Sequence, residues 1–405
     1  MIFCKSLELG QKDISISRNE ALNYSFTSDF EKIKYDWHKL ENHDLLTSED
    51  YLQALKSNLS SDIQVYFGMI YSESEPIMGV VYNLKQISLT EAIREEGTHE
   101  KQSFLKQYLR QFLEKFSNIY TLVTGNLYIT GEYGYACSRH WNKLEILQAL
   151  NQASKEMTVW LKQNENINVG IYLFKDFYAS NLDVQIAKKE CQLTKFRVQP
   201  NMIMGIDSNW SSMEDYLSAI KSKYRVRYRR SRKAMGEIEI VELSEDQLVE
   251  YRDKVYNLYH QVSENAGFNL FELSQDYFIQ LKRSLKKNFR VYAYFLRGEM
   301  VAFYSVILNN PELEAHFLGY EGALNHDFHI YQNMLYDIIG IGIAEKMSKI
   351  NFSRTALEIK SSVGAVPFEM DLYMRHKNPI LNWFLSPLIK YMTPKYQLVE
   401  RNPFG

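Results

Sequence analysis

The chain has little of what would place it in several large classes. Its 405 residues include 8 prolines and 3 cysteines. With 45% hydrophobic residues it is too apolar and too proline-poor for a disordered or collagen-like protein. Cys4, Cys137 and Cys191 are widely separated and odd in number, so they form neither a disulfide framework nor a CxxC metal or redox pair, and a reducing cytoplasm is expected. The opening MIFCKSLELGQKDIS has no sustained apolar run and is not expected to be a secretory signal. No stretch approaches the ~20 apolar residues of a membrane span; the longest near the end, Pro379 to Met392, is interrupted by Asn382, Pro387 and Lys390. There is no excess of charge of one sign either. Lys plus Arg number 47 against 49 Asp plus Glu, which excludes a generally basic nucleic-acid coat, so any anion binding must be local. GxSxG, HExxH and P-loop patterns are also missing, which argues against hydrolase, zincin and nucleoside-triphosphatase chemistry.

What is present is a mixture of strand and helix patterns occurring twice. VYFGMIY and IMGVVYNL, separated by the turn SESEP, predict a hairpin. A helix over about Glu100 to Phe116, the strand TLVTGNLYIT, a helix over about Asn142 to Gln163, the strand VGIYLF, a helix near Asn181 to Lys189 and strand-like FRVQPNMIMGI follow. DSNWSSMEDY, Asp207 to Tyr216, is a polar break with helix-capping residues, and it divides the chain into units 1–206 and 207–405. After the break come EIEIVEL, helices at about Glu245 to Asn265 and Ser274 to Lys287, the hairpin FRVYAYFL/MVAFYSVIL around Arg297-Gly298-Glu299, and EAHFLGY. A loop, a long helix from about Phe328 to Met347, INFSRTA, a short helix Leu357 to Val363, FEMDLYMRH and a C-terminal amphipathic helix complete it. The element order repeats from the hairpin onward without any repeat of residues, giving an α/β fold with mixed sheets and a cleft between two units.

One segment departs from the neutral background. Lys221, Lys223, Arg225, Arg227, Arg229, Arg230, Arg232 and Lys233 crowd into thirteen residues, interleaved with Tyr224, Val226 and Tyr228. Eight like charges on a helix repel one another, so the segment calls for a partner: the phosphates of a nucleotide-linked substrate, a tRNA acceptor stem or anionic lipid headgroups. Asn325-His326-Asp327-Phe328-His329 offers two His and an Asp, but without a further well-spaced ligand Asn325 or Asp327 is better read as a helix cap than as part of a metal site.

The doubled order resembles the tandem GNAT-like architecture of the Fem family of peptidoglycan-bridge aminoacyl transferases and related N-acyltransferases. The residues that carry the resemblance are YLSAIKSKYRVRYRRSRKAMG, LGYEGALNHDFHIYQNMLYDIIGIGIA and ALEIKSSVGAVP, within about Trp210 to Lys377. It implies transfer of an acyl or aminoacyl group to an amine, on a cell-envelope precursor near the inner face of the membrane. Acyl-CoA or aminoacyl-tRNA would serve as donor substrate, with no permanently bound cofactor. Lys360 lies four residues before Gly364, where many GNAT enzymes place a tyrosine and Fem-like proteins a lysine, and it would hold the oxyanion. The competing reading is a surface lysine paired with Glu358. His316 or a water would accept the amine proton and Tyr320 would line the cleft. Arg225, Arg229, Arg230 and Tyr331 would bind substrate. The family's pyrophosphate turn is degraded to Gly319-Tyr320-Glu321-Gly322-Ala323 in the second unit, while Gly131, Gly134 and Ala136 keep part of it in the first. That degradation also admits a non-catalytic ligand-binding protein on the same scaffold.

Overall fold

The computed structural model describes residues 22–40, 44–58, 60, 62–87, 119–138, 141–178, 189–265, 271–392 and 399–404. The helix expected over Glu100 to Phe116 lies outside these residues, as does nearly all of that expected near Asn181 to Lys189.

Period-two hydrophobicity builds two sheets. The first contains β1 (Leu22–Thr27), β2 (Ile63–Ser72), β3 (Glu75–Ile87), β4 (Ile119–Thr124), β5 (Tyr135–Cys137), β6 (Val169–Tyr178) and β7 (Thr194–Arg197). The second contains β8 (Asn201–Gly205), β9 (Ile238–Glu242), β10 (Phe289–Leu296), β11 (Glu299–Asn309), β12 (Glu312–Tyr320), β13 (Lys349–Asn351) and β14 (Val366–Phe368). β15 (Met370–His376) returns to the first sheet. The orders are β1-β2-β3-β4-β6-β15-β7, with β5 beside β3, and β9-β10-β11-β12-β13-β8-β14.

The two orders correspond strand for strand. In each, four antiparallel strands are followed by one parallel neighbour, β4 with β6 and β12 with β13. The next pairing is antiparallel again. Each sheet is completed by a strand from across residues 206/207: β15 joins the first, β8 the second. Division by sequence position and division by sheet therefore differ by these two strands, which tie the units together.

On β2 the alternation sends Val65, Phe67 and Met69 into a core shared by both sheets, and Tyr66 and Ile70 against the helix Lys143–Asn164 on the outer side. That helix starts with a capping box between Asn142 and Glu145. The shared core also receives Phe289, Val291 and Phe303 of the second sheet and the helices Arg252–Asn265 and Tyr277–Leu285. The outer face of the second sheet carries the basic helix Ser222–Met235 and the helix Ile330–Ala344.

Several expected elements differ. FRVQPNMIMGI divides into β7 and β8, and FEMDLYMRH breaks between Phe368 at the end of β14 and Met370 at the start of β15, each time passing from one sheet to the other. The strand TLVTGNLYIT ends at Thr124, because Gly125 turns the chain at φ +138 and an added Cβ there would sit 2.9 Å from Lys175 Cβ. The helix over Glu245 to Asn265 breaks at Tyr251 into two. The loop before the long helix contains the short helix Gly322–Phe328.

Candidate active site

β12 and β13 pair in parallel only from Glu312↔Lys349 to Glu314↔Asn351. Among the described residues β12 then continues to Tyr320 bonded to β11 alone, so the sheet opens beside EAHFLGY. The chain leaving β13 is strained: Ser353, Thr355 and Ala356 adopt φ of +61°, +66° and +49°. Left-handed non-glycine residues cost about 1–3 kcal/mol each and persist where the surroundings over-determine them. The short helix Leu357–Ser361 follows and carries Lys360.

Lys360 is 4% exposed, so it is not a surface lysine. Glu358, its expected surface partner, is instead paired with Arg401. The Lys360 amine donates to the carbonyls of Arg354 (2.5 Å) and Ser353 (3.4 Å) in the strained segment. Burial pushes the amine down to about 7, while the two carbonyls favour its ammonium form.

Around this segment the two units meet through polar groups. Arg354 bonds the buried Asp176 of β6 and the Gln199 carbonyl (3.0 Å). Asp176 also holds Lys175, which donates to the Ile129 carbonyl at 2.9 Å. Thr130 meets the Ser353 hydroxyl at 2.8 Å and accepts from Asn351 Nδ2 at 2.9 Å. Asn201 of β8 is fully buried, with its amide beside the Tyr178 hydroxyl. None of these groups was singled out in the sequence. The signal was present for one pair: Lys175-Asp176 interrupts the otherwise apolar VGIYLFKDFY, where a buried charge needs an opposite partner.

At the root of the opening, Tyr133 Oη donates to Glu314 Oε1 at 2.7 Å. Burial, with Glu312 and Asp44 nearby, pushes the Glu314 carboxyl up to about 8. A carboxyl raised from 4.5 contributes stability fully below its unfolded pKa and loses it as pH rises through the folded value. Thermal unfolding of Glu314→Gln between pH 4.5 and pH 8 should therefore show a flatter decline in stability with rising pH than the native protein; an unchanged slope would mean that the carboxylate is not desolvated.

His316 and Tyr320, expected to line one cleft, face opposite sides of the second sheet. A bulge near Tyr304 and Val306 turns His316 toward the shared core. There Nε2 lies 3.0 Å from Tyr277 Oη and Nδ1 3.2 Å from Ser305 Oγ, with the ring stacked on Tyr277. Both ring nitrogens are engaged and burial lowers the imidazole to about 3, so His316 does not fit the proton-acceptor role expected of it. Tyr320 lies on the outer side, half-buried against Tyr331 with ring centroids 6.3 Å apart; burial raises both phenols.

The basic segment is a helix. Tyr224, Tyr228, Ser231 and Met235 face inward, and Arg232 pairs with Asp337 at 2.6 Å. Arg225 turns back to the carbonyls of Leu217 and Ile220, so it closes the preceding helix rather than awaiting a ligand. Arg227, Arg229, Arg230 and Lys233 are exposed, with no ion pair among the described residues.

The first unit's glycine turn is occupied by protein. Gly134 lies against Gly125, where an added Cβ would be 2.6 Å from Cα, and Ala136 is paired with Gly79 in β5. Gly131 packs against the Tyr133 ring. A strand, not a helix N-terminus, follows these residues, so Gly131, Gly134 and Ala136 do not make the expected pyrophosphate cradle. The cap residue of the long helix is His329, not Asn325 or Asp327; Asn325 lies in the short helix before it and accepts from Tyr331 N at 2.9 Å. His326 pairs with exposed Asp327, whereas His329 meets Ser231. Among the described residues no group of His, Cys, Asp and Glu is arranged to hold a metal ion.

Residues 222–361 match the family model of an acetyltransferase (GNAT) domain. The crystal structure of FemX superposes with a TM-score of 0.53 at 11% identity, over 91% of this chain and 100% of that one. A tandem GNAT protein from the clavulanic acid biosynthesis pathway (TM-score 0.47, 8% identity, 89% and 99% coverage) and L-PGS from Bacillus licheniformis (0.43, 11%, 90% and 97%) are more distant in shape. No curated protein sequence matches the chain. The protein has a mixed α/β, GNAT-like fold of the Fem type.

Proposed function

We propose that the protein transfers an acyl or aminoacyl group to a primary amine, the acceptor being a cell-envelope precursor. The observation that carries this reading is Lys360, a buried amine without a carboxylate partner among the described residues, held by a strained loop that leaves the opening of a GNAT-like sheet. In the reaction the amine nitrogen attacks the carbonyl carbon of a thioester or ester. The Lys360 ammonium holds the oxyanion that forms. Collapse of the tetrahedral intermediate breaks the bond to the thiolate or ribose oxygen and expels it, while the amine proton passes to water or to the leaving group. Asn201, buried beside Tyr178, would orient a substrate polar group. Tyr320 and Tyr331 would line the acceptor side, and the two units 1–206 and 207–405 act as one body through the strands they exchange.

Phosphates of donor or acceptor would be drawn by Arg227, Arg229, Arg230 and Lys233. Replacing Arg227, Arg229 and Arg230 with Gln should weaken tRNA or nucleotide-linked precursor binding and make the salt dependence shallower by about one per lost phosphate contact. Identical affinity and slope would make this helix a solvated surface. The reading as a whole is tested by native mass spectrometry for a co-purifying thioester, nucleotide-linked precursor or aminoacyl-tRNA, followed by transfer of labelled acyl group from that donor to an amine. A donor that binds but is never discharged would favour the non-catalytic ligand-binding alternative.

A further inference from the structure

The C-terminal helix Pro379–Met392 has apolar residues on two faces. Leu385 and Ile389 are buried, and the helix packs on β15 and β7. On the other side Ile380 is 68% exposed, Trp383 74% and Phe384 55%, and Pro387 is exposed as well. The spacing i, i+3, i+4, i+7 is that of one helical stripe, and a surface helix of a soluble domain normally carries polar residues there. Trp383 and Phe384 meet edge to face at 4.7 Å, presenting one continuous aromatic surface.

The stretch of sequence that carries this helix has charge of one sign, although Arg375 is buried and bonded to the Cys191 carbonyl and Gln192. Between Asp371 and Glu400 the chain contains no carboxylate and four cations, Arg375, Lys377, Lys390 and Lys395, within a protein of net charge -2. Lys377 is exposed next to the stripe's first turn. No helix among the described residues is long and apolar enough to cross a membrane. An in-plane helix with aromatics on its outward face, an exposed lysine before its first turn and no carboxylate in its own sequence is suited to the headgroup boundary of an anionic bilayer. A second copy of the chain fits less well, because a twofold contact through this face would bring Lys377 close to its own equivalent.

We infer that Ile380, Trp383, Phe384 and Pro387 form a docking stripe for the surface of a membrane containing anionic phospholipid. The assignment does not rest on the transfer chemistry, since vesicle binding is read without turnover. The full chain is mixed with vesicles of phosphatidylcholine, with or without phosphatidylglycerol, and binding is followed by flotation. The anionic vesicles should retain the protein and the neutral ones much less, with retention falling as salt is raised. Trp383→Ser combined with Phe384→Ser should lower the partition constant at least about tenfold, with no change in thermal unfolding because both side chains are exposed. Brominated lipid should quench the native protein's tryptophan fluorescence, and Trp383→Phe should remove that quenching, a readout independent of the double variant. The proposal is overturned if the double variant partitions like the native protein. It is equally overturned if Arg229→Gln with Arg230→Gln abolishes binding while the double variant does not, since the basic helix would then be the contact. A native dimer that becomes monomeric in the double variant would assign the stripe to self-association and overturn it too.

Discussion

Lys360→Met is expected to lower transfer about 100- to 1,000-fold, the usual loss when one oxyanion donor is removed. Methionine keeps the length and apolar character of the stem and takes away the charge, so donor binding should be nearly preserved and the loss should appear in kcat. Two carbonyls, of Ser353 and Arg354, lose their donor, which limits the stability cost to about 1–3 kcal/mol each if water cannot replace the amine. Lys360→Arg should recover little, because a planar fork does not fit where a compact ammonium is held by two carbonyls. The pH profile gives a second readout. Burial lowers the amine to about 7, and the ammonium is the form that holds an oxyanion, so activity should fall as pH rises through that value. Near-native turnover by Lys360→Met would remove the lysine from the mechanism. Unfolding of the variant would make Lys360 a clamp for the strained loop instead.

The fold was legible where apolar residues alternate or recur without interruption. The hairpins at Ile63–Ile87 and Phe289–Asn309 announce themselves by β-branched and aromatic runs around polar turns, and Asn142 and Glu145 mark a helix start. The exchange of β8 and β15 was not legible, since strand pairing between units is set by the edges left open after each sheet forms and not by local pattern. The site was read unevenly for the same reason. Lys360 could be placed by its distance from Gly364 on a short helix, and the structure finds it buried. His316 looked equally suitable on its strand, but a bulge in that strand, which sets His316 and Phe317 opposite Ser305, decides which way it points, and nothing in EAHFLGY marks where the extra residue falls. Arg225 could not be told from Arg229 by composition; its capture by the carbonyls of Leu217 and Ile220 depends on how one helix follows another.

The largest stability effect should come from Asp176. It is fully buried between Lys175 and Arg354, in the left-handed conformation at φ +63°, and no other carboxylate among the described residues pairs with either cation. Burial alone would raise its pKa, but the two cations and their hydrogen bonds outweigh this and hold the carboxyl below the usual range. A depressed carboxyl contributes stability that is present above its unfolded value of about 3.9 and lost as pH falls through the folded one. Asp176→Ala leaves two largely buried cations uncompensated, and breaking a buried pair in this way costs about 3–5 kcal/mol. Urea denaturation at neutral pH should show that loss, and the variant should lack the acid-induced part of the decline seen in the native protein. The effect should reach the site as well. Arg354 is anchored by Asp176 and supplies the carbonyl that receives Lys360, so Asp176→Asn, which keeps the shape, should lower kcat more than it raises KM. A stability change under about 1 kcal/mol for Asp176→Ala would mean that water reaches the pair and screens it as it does at a protein surface. Unchanged kcat in a folded Asp176→Asn would separate this seam from the chemistry at Lys360.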